Sequence, residues 1–203
     1  MKLEAFALNC TLKPSPAASS TDRLLREIFD ALGKYDVTCD GARAVDFNIK
    51  PGVKSDEGEG DDWPGLRAHI LAADIFILGS PIWLGQPSSV AKRVMERMDA
   101  FLSEKDEKDR MPAYGKVALV AVVGNEDGAH HVSAEVFQGL NDVGFSLAAN
   151  AMTYWVGEAM GSTNYIDLKA TPKTTDYATR MMVEAAVHLA RLLKRENYPG
   201  MKS

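Results

Sequence analysis

Two long apolar runs constrain the fold of this chain more than any other feature. They are residues 74–79 (DIFILG) and 116–124 (KVALVAVVG). A strand that is apolar at consecutive positions is buried on both faces, which is typical of the centre of a parallel sheet. Helices must then cover the sheet from both sides, so these runs predict an α/β fold.

The rest of the chain alternates strand and helix patterns around these two runs. Further strands are predicted at 2–9, within 36–45 and at 145–151, and helices at 21–33, 66–70, 90–102, 132–140 and 177–192. Residues 48–62 are rich in Gly, Asp, Glu and Lys, which predicts a solvated surface loop. Strands that alternate with helices imply right-handed crossovers and a parallel sheet with helices on both faces. A chain of 203 residues can form this as a single domain, 1–203.

Composition excludes several classes of protein. The net charge of −5 provides no basic field for nucleic-acid phosphates, so we expect no nucleic-acid partner. Cys10 and Cys39 are the two cysteines, and they form neither a CxxC pair nor a disulfide framework, which favours a reducing cytoplasm. The run 117–123 is far shorter than the about 20 residues that cross a bilayer, and Glu4 interrupts the first apolar stretch, so we expect neither a membrane span nor an export signal.

Three loops are expected to carry the chemistry. In a doubly wound sheet, ligands bind beyond the carboxyl ends of the strands, where the strand order reverses. The loops after strands one, three and four therefore matter most. They read NCTLKPSPAASST (9–21), SPIWLGQPSS (80–89) and GNEDGAHH (124–131).

The first loop has the composition of an anion site. It ends in Ser19, Ser20 and Thr21 at the opening of a helix, where hydroxyls and unpaired backbone N–H groups favour a phosphate. Thr11 and the cation Lys13 complete the candidate site. The alternative is that a serine only caps the helix. The loop is neither GxGxxG nor GxxxxGK[ST], which argues against dinucleotide and ATP loops.

The second and third loops could hold a flat ring. Pro81, Ile82, Trp83, Leu84 and Gly85 place apolar groups and open backbone directly after the central strand, although Trp83 could equally be a core or interface anchor. The third loop offers polar groups to the edge of a ring, through Gly124, Asn125, Glu126, Asp127 and Gly128.

Two other types of site were considered for the third loop. A metal site would be made from Glu126, Asp127, His130 and His131, but the two histidines are adjacent and would not face the same way on a helix. A hydrolase would need a nucleophile elbow, and the chain contains no GxSxG. Both are weaker than a ring-binding site.

Read together, the three loops resemble the NADPH-dependent FMN reductase family, and the resemblance spans almost the whole chain. It implies a flavodoxin-like, doubly wound five-stranded sheet in the order 2-1-3-4-5. It also implies that the first loop holds the FMN phosphate, that 81–85 lies beneath the flavin ring and that 124–128 meets the ring edge. The family's frequent GSxR opening is replaced by 9–12 (NCTL), and Lys13 is the candidate for the arginine's role. The cysteine run of iron–sulfur flavoproteins is absent, so no cluster is expected.

The resemblance implies an FMN-dependent oxidoreductase that takes electrons from NADPH or NADH and passes them to a quinone, free flavin or similar small acceptor. FMN carries the hydride chemistry, so no catalytic acid or base is assigned. The alternatives are a flavodoxin-type electron carrier and a cofactor-free interaction module. Carriers clamp the flavin between aromatic side chains of two loops, and 124–131 has none, which favours an enzyme. Relatives build the pocket at a subunit interface, so we expect a homodimer or homotetramer with Tyr154 and Trp155 as interface anchors.

Overall fold

The computed structural model describes residues 2–158 and 160–201. Its sheet has the order β2-β1-β3-β5-β6. The strands are β1 (Leu3–Asn9), β2 (Val37–Arg43), β3 (Ile75–Trp83), β4 (Gln86–Pro87), β5 (Val117–Gly124) and β6 (Ser146–Val156). The five long strands are parallel, and the two-residue β4 folds back antiparallel on the end of β3. The predicted order 2-1-3-4-5 and the flavodoxin-like fold are therefore confirmed for the long strands.

Helices cover both faces of the sheet. They are α1 (Ser20–Gly33), α2 (Trp63–Ala72), α3 (Ser89–Met98), α4 (Ala129–Asp142) and α5 (Lys173–Arg195). Alternate residues of β3 show the division: Ile75 and Ile77 pack with α1 and α5, whereas Phe76 and Leu78 pack with α2, α3 and α4. Both faces of the central strands are thus buried, as their continuous apolar sequences predict. Among the described residues, no helix combines the length and the apolar character needed to cross a membrane.

Two strands extend beyond their predicted ends. β3 continues to Trp83 because Ser80 and Pro81 still pair with β5. β6 continues to Val156 through a bulge, across which five residues of β6 advance against two of β5. Because the pairing is irregular, the alternation of apolar and polar residues does not predict this extension. The extension brings the end of β6 to the same edge as the loops after β1, β3 and β5.

The loop at 48–62 is anchored by a buried ion pair, which its acidic composition did not predict. Asp61 and Arg97 have fully buried side chains, and Arg97 Nη2 lies 2.7 Å from Asp61 Oδ2. Arg97 also donates hydrogen bonds to the carbonyl oxygens of Lys50 and Lys54. The guanidinium on α3 therefore holds the loop against the helical face of the domain.

Removal of the Asp61 carboxylate should destabilise the fold strongly. We expect Asp61→Ala to lower the free energy of unfolding by about 3–5 kcal/mol, because it leaves the Arg97 charge buried without a partner. Asp176→Ala removes the exposed pair with Arg180 and should cost about 1 kcal/mol or less. Urea denaturation followed by circular dichroism measures both, and equal losses would contradict a special role for the buried pair.

The same pair predicts how stability depends on pH. Hydrogen bonds from Arg97 hold the pKa of Asp61 well below its usual range. A lowered pKa in the folded state contributes stability above the unfolded value of about 3.9, and that contribution is lost as the pH falls further. The difference in unfolding free energy between the wild type and Asp61→Asn should therefore be constant above about pH 5 and shrink below about pH 4.

Candidate functional site

One cavity lies at the carboxyl ends of β1, β3, β5 and β6. Residues from all three predicted loops line it, together with residues from the end of β6 and from the segment that follows. The lining residues are Thr11, Leu12, Lys13, Ser19, Ser20, Thr21, Pro81, Ile82, Trp83, Val123, Gly124, Asn125, Trp155, Asn164 and Tyr165. Most of the predicted site residues are therefore brought together. Leu84, Gly85, Glu126, Asp127 and Gly128 lie outside this lining.

The hydroxyl groups at the start of α1 form one end of the cavity. Ser19 is the N-cap of α1, and its Oγ accepts a hydrogen bond from the backbone N–H of Asp22 at 3.2 Å. Ser19 therefore caps the helix, and its role in holding an anion stays a prediction. Thr21 is buried, and its methyl group lies where a Cβ on Gly79 would be only 2.9 Å away. Gly79 thus lets the start of α1 approach β3, which places the helix N-terminus at the cavity.

The first loop is held from its outer side by residues that the sequence analysis missed. Arg43 Nη1 donates to the carbonyl oxygens of Lys13 at 3.3 Å, Pro14 at 3.2 Å and Ala17 at 2.7 Å. The Asp46 carboxylate accepts from the backbone N–H and the hydroxyl of Ser15. Arg43 thus satisfies carbonyl groups of the loop, and Asp46 satisfies donors of Ser15. The sequence feature that could have indicated these contacts is the positive charge of Arg43, which lies at the carboxyl end of β2 next to the first loop.

An apolar slot forms the middle of the cavity. Ile82 and Trp83 line it from β3, and Trp83 is 52% exposed at its mouth. Gly124 allows β5 to end close to this wall, since a Cβ there would lie 2.9 Å from the Cβ of Ile82. A flat apolar group can enter this slot without meeting a charged wall.

The five predicted residues outside the lining brace the rim. Leu84 has a left-handed backbone (φ 52°), and its N–H donates to Glu126 Oε1 at 2.9 Å. Gly128 has φ 126°, and a Cβ on it would lie 2.8 Å from the Cα of Gly85. The second and third loops therefore contact each other in two places, through the backbones of Gly85 and Gly128 and through the hydrogen bond from Leu84 to Glu126.

Aromatic side chains that were not assigned to the site form its far wall. Trp155, predicted as an interface anchor, lines the cavity, and its ring centroid lies 5.4 Å from that of the buried Tyr165. Tyr154, the other predicted anchor, packs edge-on against His130. Sequence analysis missed the wall because the bulge conceals the end of β6 and the next segment has no regular pattern. The interface role of both residues stays a prediction.

The charge of the cavity matches an amphipathic anion. Of the described residues that line it, Lys13 alone is charged, and it stands at the hydroxyl-rich end. The rest of the lining is apolar, aromatic or amide, from residues such as Ile82, Trp83, Asn125 and Trp155. A planar ring that carries a phosphate on a chain fits both ends, so the residues present suit FMN. In the described ranges, no group of three or more His, Cys, Asp or Glu is arranged to hold a metal ion.

Comparison with known proteins establishes the family. The model of the NADPH-dependent FMN reductases matches residues 4–161. The chain belongs to this family. Among its relatives, the 8-demethyl-8-aminoriboflavin-5'-phosphate synthase of Streptomyces davaonensis is 34% identical over 98% of this chain and 81% of that protein. A divalent metal cation transporter MntH of Mycobacterium bovis is 36% identical over 95% of this chain, which spans only 29% of that protein.

Solved structures agree with this membership. The crystal structure of RosB with bound 8-demethyl-8-formylriboflavin-5'-phosphate superposes with a TM-score of 0.89 at 33% identity, covering 97% of this chain and 82% of that chain. The apo NADH:FMN oxidoreductase EMOB superposes with a TM-score of 0.65 at 13% identity, covering 94% and 89% of the two chains, and supports the fold alone.

The first loop predicts a selective effect of two substitutions in this FMN reductase family member. Lys13→Ala removes a positive charge and Thr21→Val a hydroxyl, and each should weaken FMN binding by about 1–3 kcal/mol. Riboflavin, which lacks the phosphate, should bind the variants and the wild type alike. Calorimetric titration measures both affinities, with Lys34→Ala and Thr38→Val, exposed at the opposite end of the sheet, as controls. Unchanged FMN affinity with a lower thermal midpoint would instead indicate a purely structural loop.

Proposed function

We propose that this protein is an FMN-dependent oxidoreductase that takes electrons from NADPH or NADH and passes them to a quinone, free flavin or similar small acceptor. One observation carries the proposal: a single cavity joins a hydroxyl-rich helix start, with Lys13 of the preceding loop, to an apolar slot with aromatic walls. A flavin phosphate needs hydrogen-bond donors for its phosphate and an apolar surface for its ring, and the cavity offers both. Family membership supports the same cofactor and the same type of donor.

The proposal gives each part of the site a separate task. Thr11, Lys13, Ser19, Ser20 and Thr21 would hold the phosphate, residues 81–83 and Val123 would contact the ring, and Gly124 and Asn125 would meet its polar edge. Leu84, Gly85, Glu126, Asp127 and Gly128 would fix the shape of the rim. FMN, when bound, supplies the redox chemistry, while the chain binds it, orients it and keeps water from its buried side.

Aromatic groups lie on two sides of the cavity, so the choice between enzyme and electron carrier depends on whether a nicotinamide can reach the flavin ring. Trp83 lies on β3 and Trp155 on β6, so a clamp between aromatic side chains can form even though the third loop contributes none. Such a clamp is typical of electron carriers. The half-exposed Trp83 and the 91% exposed Leu84 leave the mouth open, which favours entry of a nicotinamide.

A second candidate is that flavin phosphate is the substrate and not a retained cofactor. It is favoured by the synthase that matches 98% of this chain and by the flavin phosphate intermediate bound in RosB. Both candidates require the same phosphate end and the same ring slot. They differ in whether the flavin leaves the protein chemically changed.

We also propose that the protein works in the cytoplasm as a homodimer or homotetramer. Trp83 and Leu84 expose apolar surface beside the cavity mouth, which a second subunit would border without closing the mouth. Light scattering after gel filtration reports the oligomeric state.

Anaerobic mixing distinguishes an enzyme from an electron carrier. Addition of NADPH or NADH to the FMN-loaded protein should bleach the flavin absorbance within minutes, because the donor can reach the open side of the slot. Trp83→Ala should lower the rate or the FMN affinity, whereas Tyr177→Ala, which removes an exposed aromatic group on α5, should change neither. Flavin that resists both nucleotides but is bleached by dithionite would favour the carrier.

Mass spectrometry of the flavin distinguishes cofactor from substrate. The protein is incubated with FMN, with and without NADPH, then denatured and filtered. Recovery of FMN with unchanged mass is expected for the oxidoreductase, whereas a new flavin phosphate would support the second candidate. A protein that neither retains nor binds added FMN would contradict both.

A further inference from the structure

Arg23 on α1 makes an unusual set of contacts with the segment that forms the far wall of the cavity. Its Nη1 donates to the carbonyl oxygens of Tyr165 and Leu168, both at 2.7 Å, and of Ile166 at 3.3 Å. Its guanidinium also lies over the Tyr165 ring, 4.8 Å from the centroid. Three carbonyl groups of one short segment are therefore tied to one side chain of a neighbouring helix.

Glu27, one helical turn further along α1, completes this attachment. Its carboxylate pairs with Arg23 Nε at 3.1 Å and accepts hydrogen bonds from the hydroxyls of Tyr165 and Thr171. Burial and the adjacent carboxylate raise the pKa of Tyr165 far above its usual value, so the phenol keeps the proton that it donates. The wall residue Tyr165 is thereby fixed at both its backbone and its ring.

Ser20 links this attachment to the other end of the cavity. Its Oγ accepts a hydrogen bond from the backbone N–H of Ile166 at 3.2 Å, and Ser20 also lines the hydroxyl-rich end. Since the hydroxyl accepts from Ile166, its own proton is free to be donated to an anion. Helix α1 therefore carries the anion end and holds the aromatic end.

We propose that Arg23, supported by Glu27, is a positioning residue that holds the Trp155–Tyr165 wall against the flavin ring. This inference rests on the proposed function, since it takes the occupant of the cavity to be a flavin. Arg23 is not among the lining residues, and its Nη1 is engaged by the carbonyl groups and its Nε by Glu27. Its influence on the ligand is therefore exerted through the wall and not through its charge.

This role depends on the shape of the guanidinium as well as on its charge. A planar fork of donors can meet several acceptors in fixed directions, whereas an ammonium group is a compact point charge on a flexible stem. Lysine at position 23 would keep the positive charge near α1, but one nitrogen would replace the two that meet Glu27 through Nε and the carbonyl groups through Nη1. The pair Arg23→Gln and Arg23→Lys thus separates charge from geometry.

The experiment measures flavin binding and the order of the wall in the same variants. Arg23→Gln and Arg23→Lys should each weaken both FMN and riboflavin by about tenfold, because the wall contacts the ring that the two ligands share. Arg26→Gln, which breaks an exposed pair with Asp22 on the same helix, should leave both affinities unchanged. In the flavin-free protein, hydrogen exchange at 164–168 should accelerate in the two Arg23 variants while β3 stays protected.

Several results would overturn the proposal. Wild-type affinity in Arg23→Lys, or a loss confined to FMN in Arg23→Gln, would show that the charge acts on the phosphate. Unchanged hydrogen exchange at 164–168 would show that Arg23 does not hold the wall. A wild-type protein that binds neither flavin would refute the proposed function and the flavin role of Arg23, while the exchange data would still decide separately whether Arg23 fixes the segment.

Discussion

The burial of β3 and β5 on both faces is the constraint on which the rest of the structure depends. Residues 117–123 are buried along the whole of β5, with α1 and α5 on one side and α2, α3 and α4 on the other. Two buried faces require helices between successive strands, and such crossovers make the strands parallel. Every strand then delivers its following loop to the same edge, so the cavity is a consequence of hydrophobic burial in the centre of the sheet.

The cavity combines two kinds of support. Its hydroxyl-rich part is built from a helix start and a loop whose carbonyl groups are satisfied on the outside by Arg43. Its apolar part is built from strand ends and from an aromatic wall tied to α1 by Arg23. In both places an arginine donates hydrogen bonds to several backbone carbonyl groups from outside the cavity. Hydroxyl, amide and aromatic groups form most of the inner surface. Irregular backbone is thus held in place by charged side chains outside the cavity.

Sequence reasoning recovers the parts of this protein that follow from regular patterns. The apolar runs and the helical spacing predict the alternation of strands and helices, and the family resemblance adds the strand order. The loops after β1, β3 and β5 bring together residues such as Thr21, Trp83 and Asn125. The far wall could not be found in this way, because a bulge interrupts β6 before Trp155. The burial of Asp61 was equally hidden, since composition describes a loop's average polarity and not which single carboxylate meets an arginine.

The contact between Gly85 and Gly128 has a consequence for how relatives of this protein can diverge. Their backbones approach so closely that a methyl group at position 128 would overlap the opposite loop. The third loop cannot gain a side chain at position 128 unless the second loop shifts, whereas a Cβ on Gly85 would meet nothing within 4 Å. Side chains on either side of that contact, such as Leu84 and Asn125, are under no such restriction. Relatives can therefore differ in the side chains around this opening while the backbone contact stays the same.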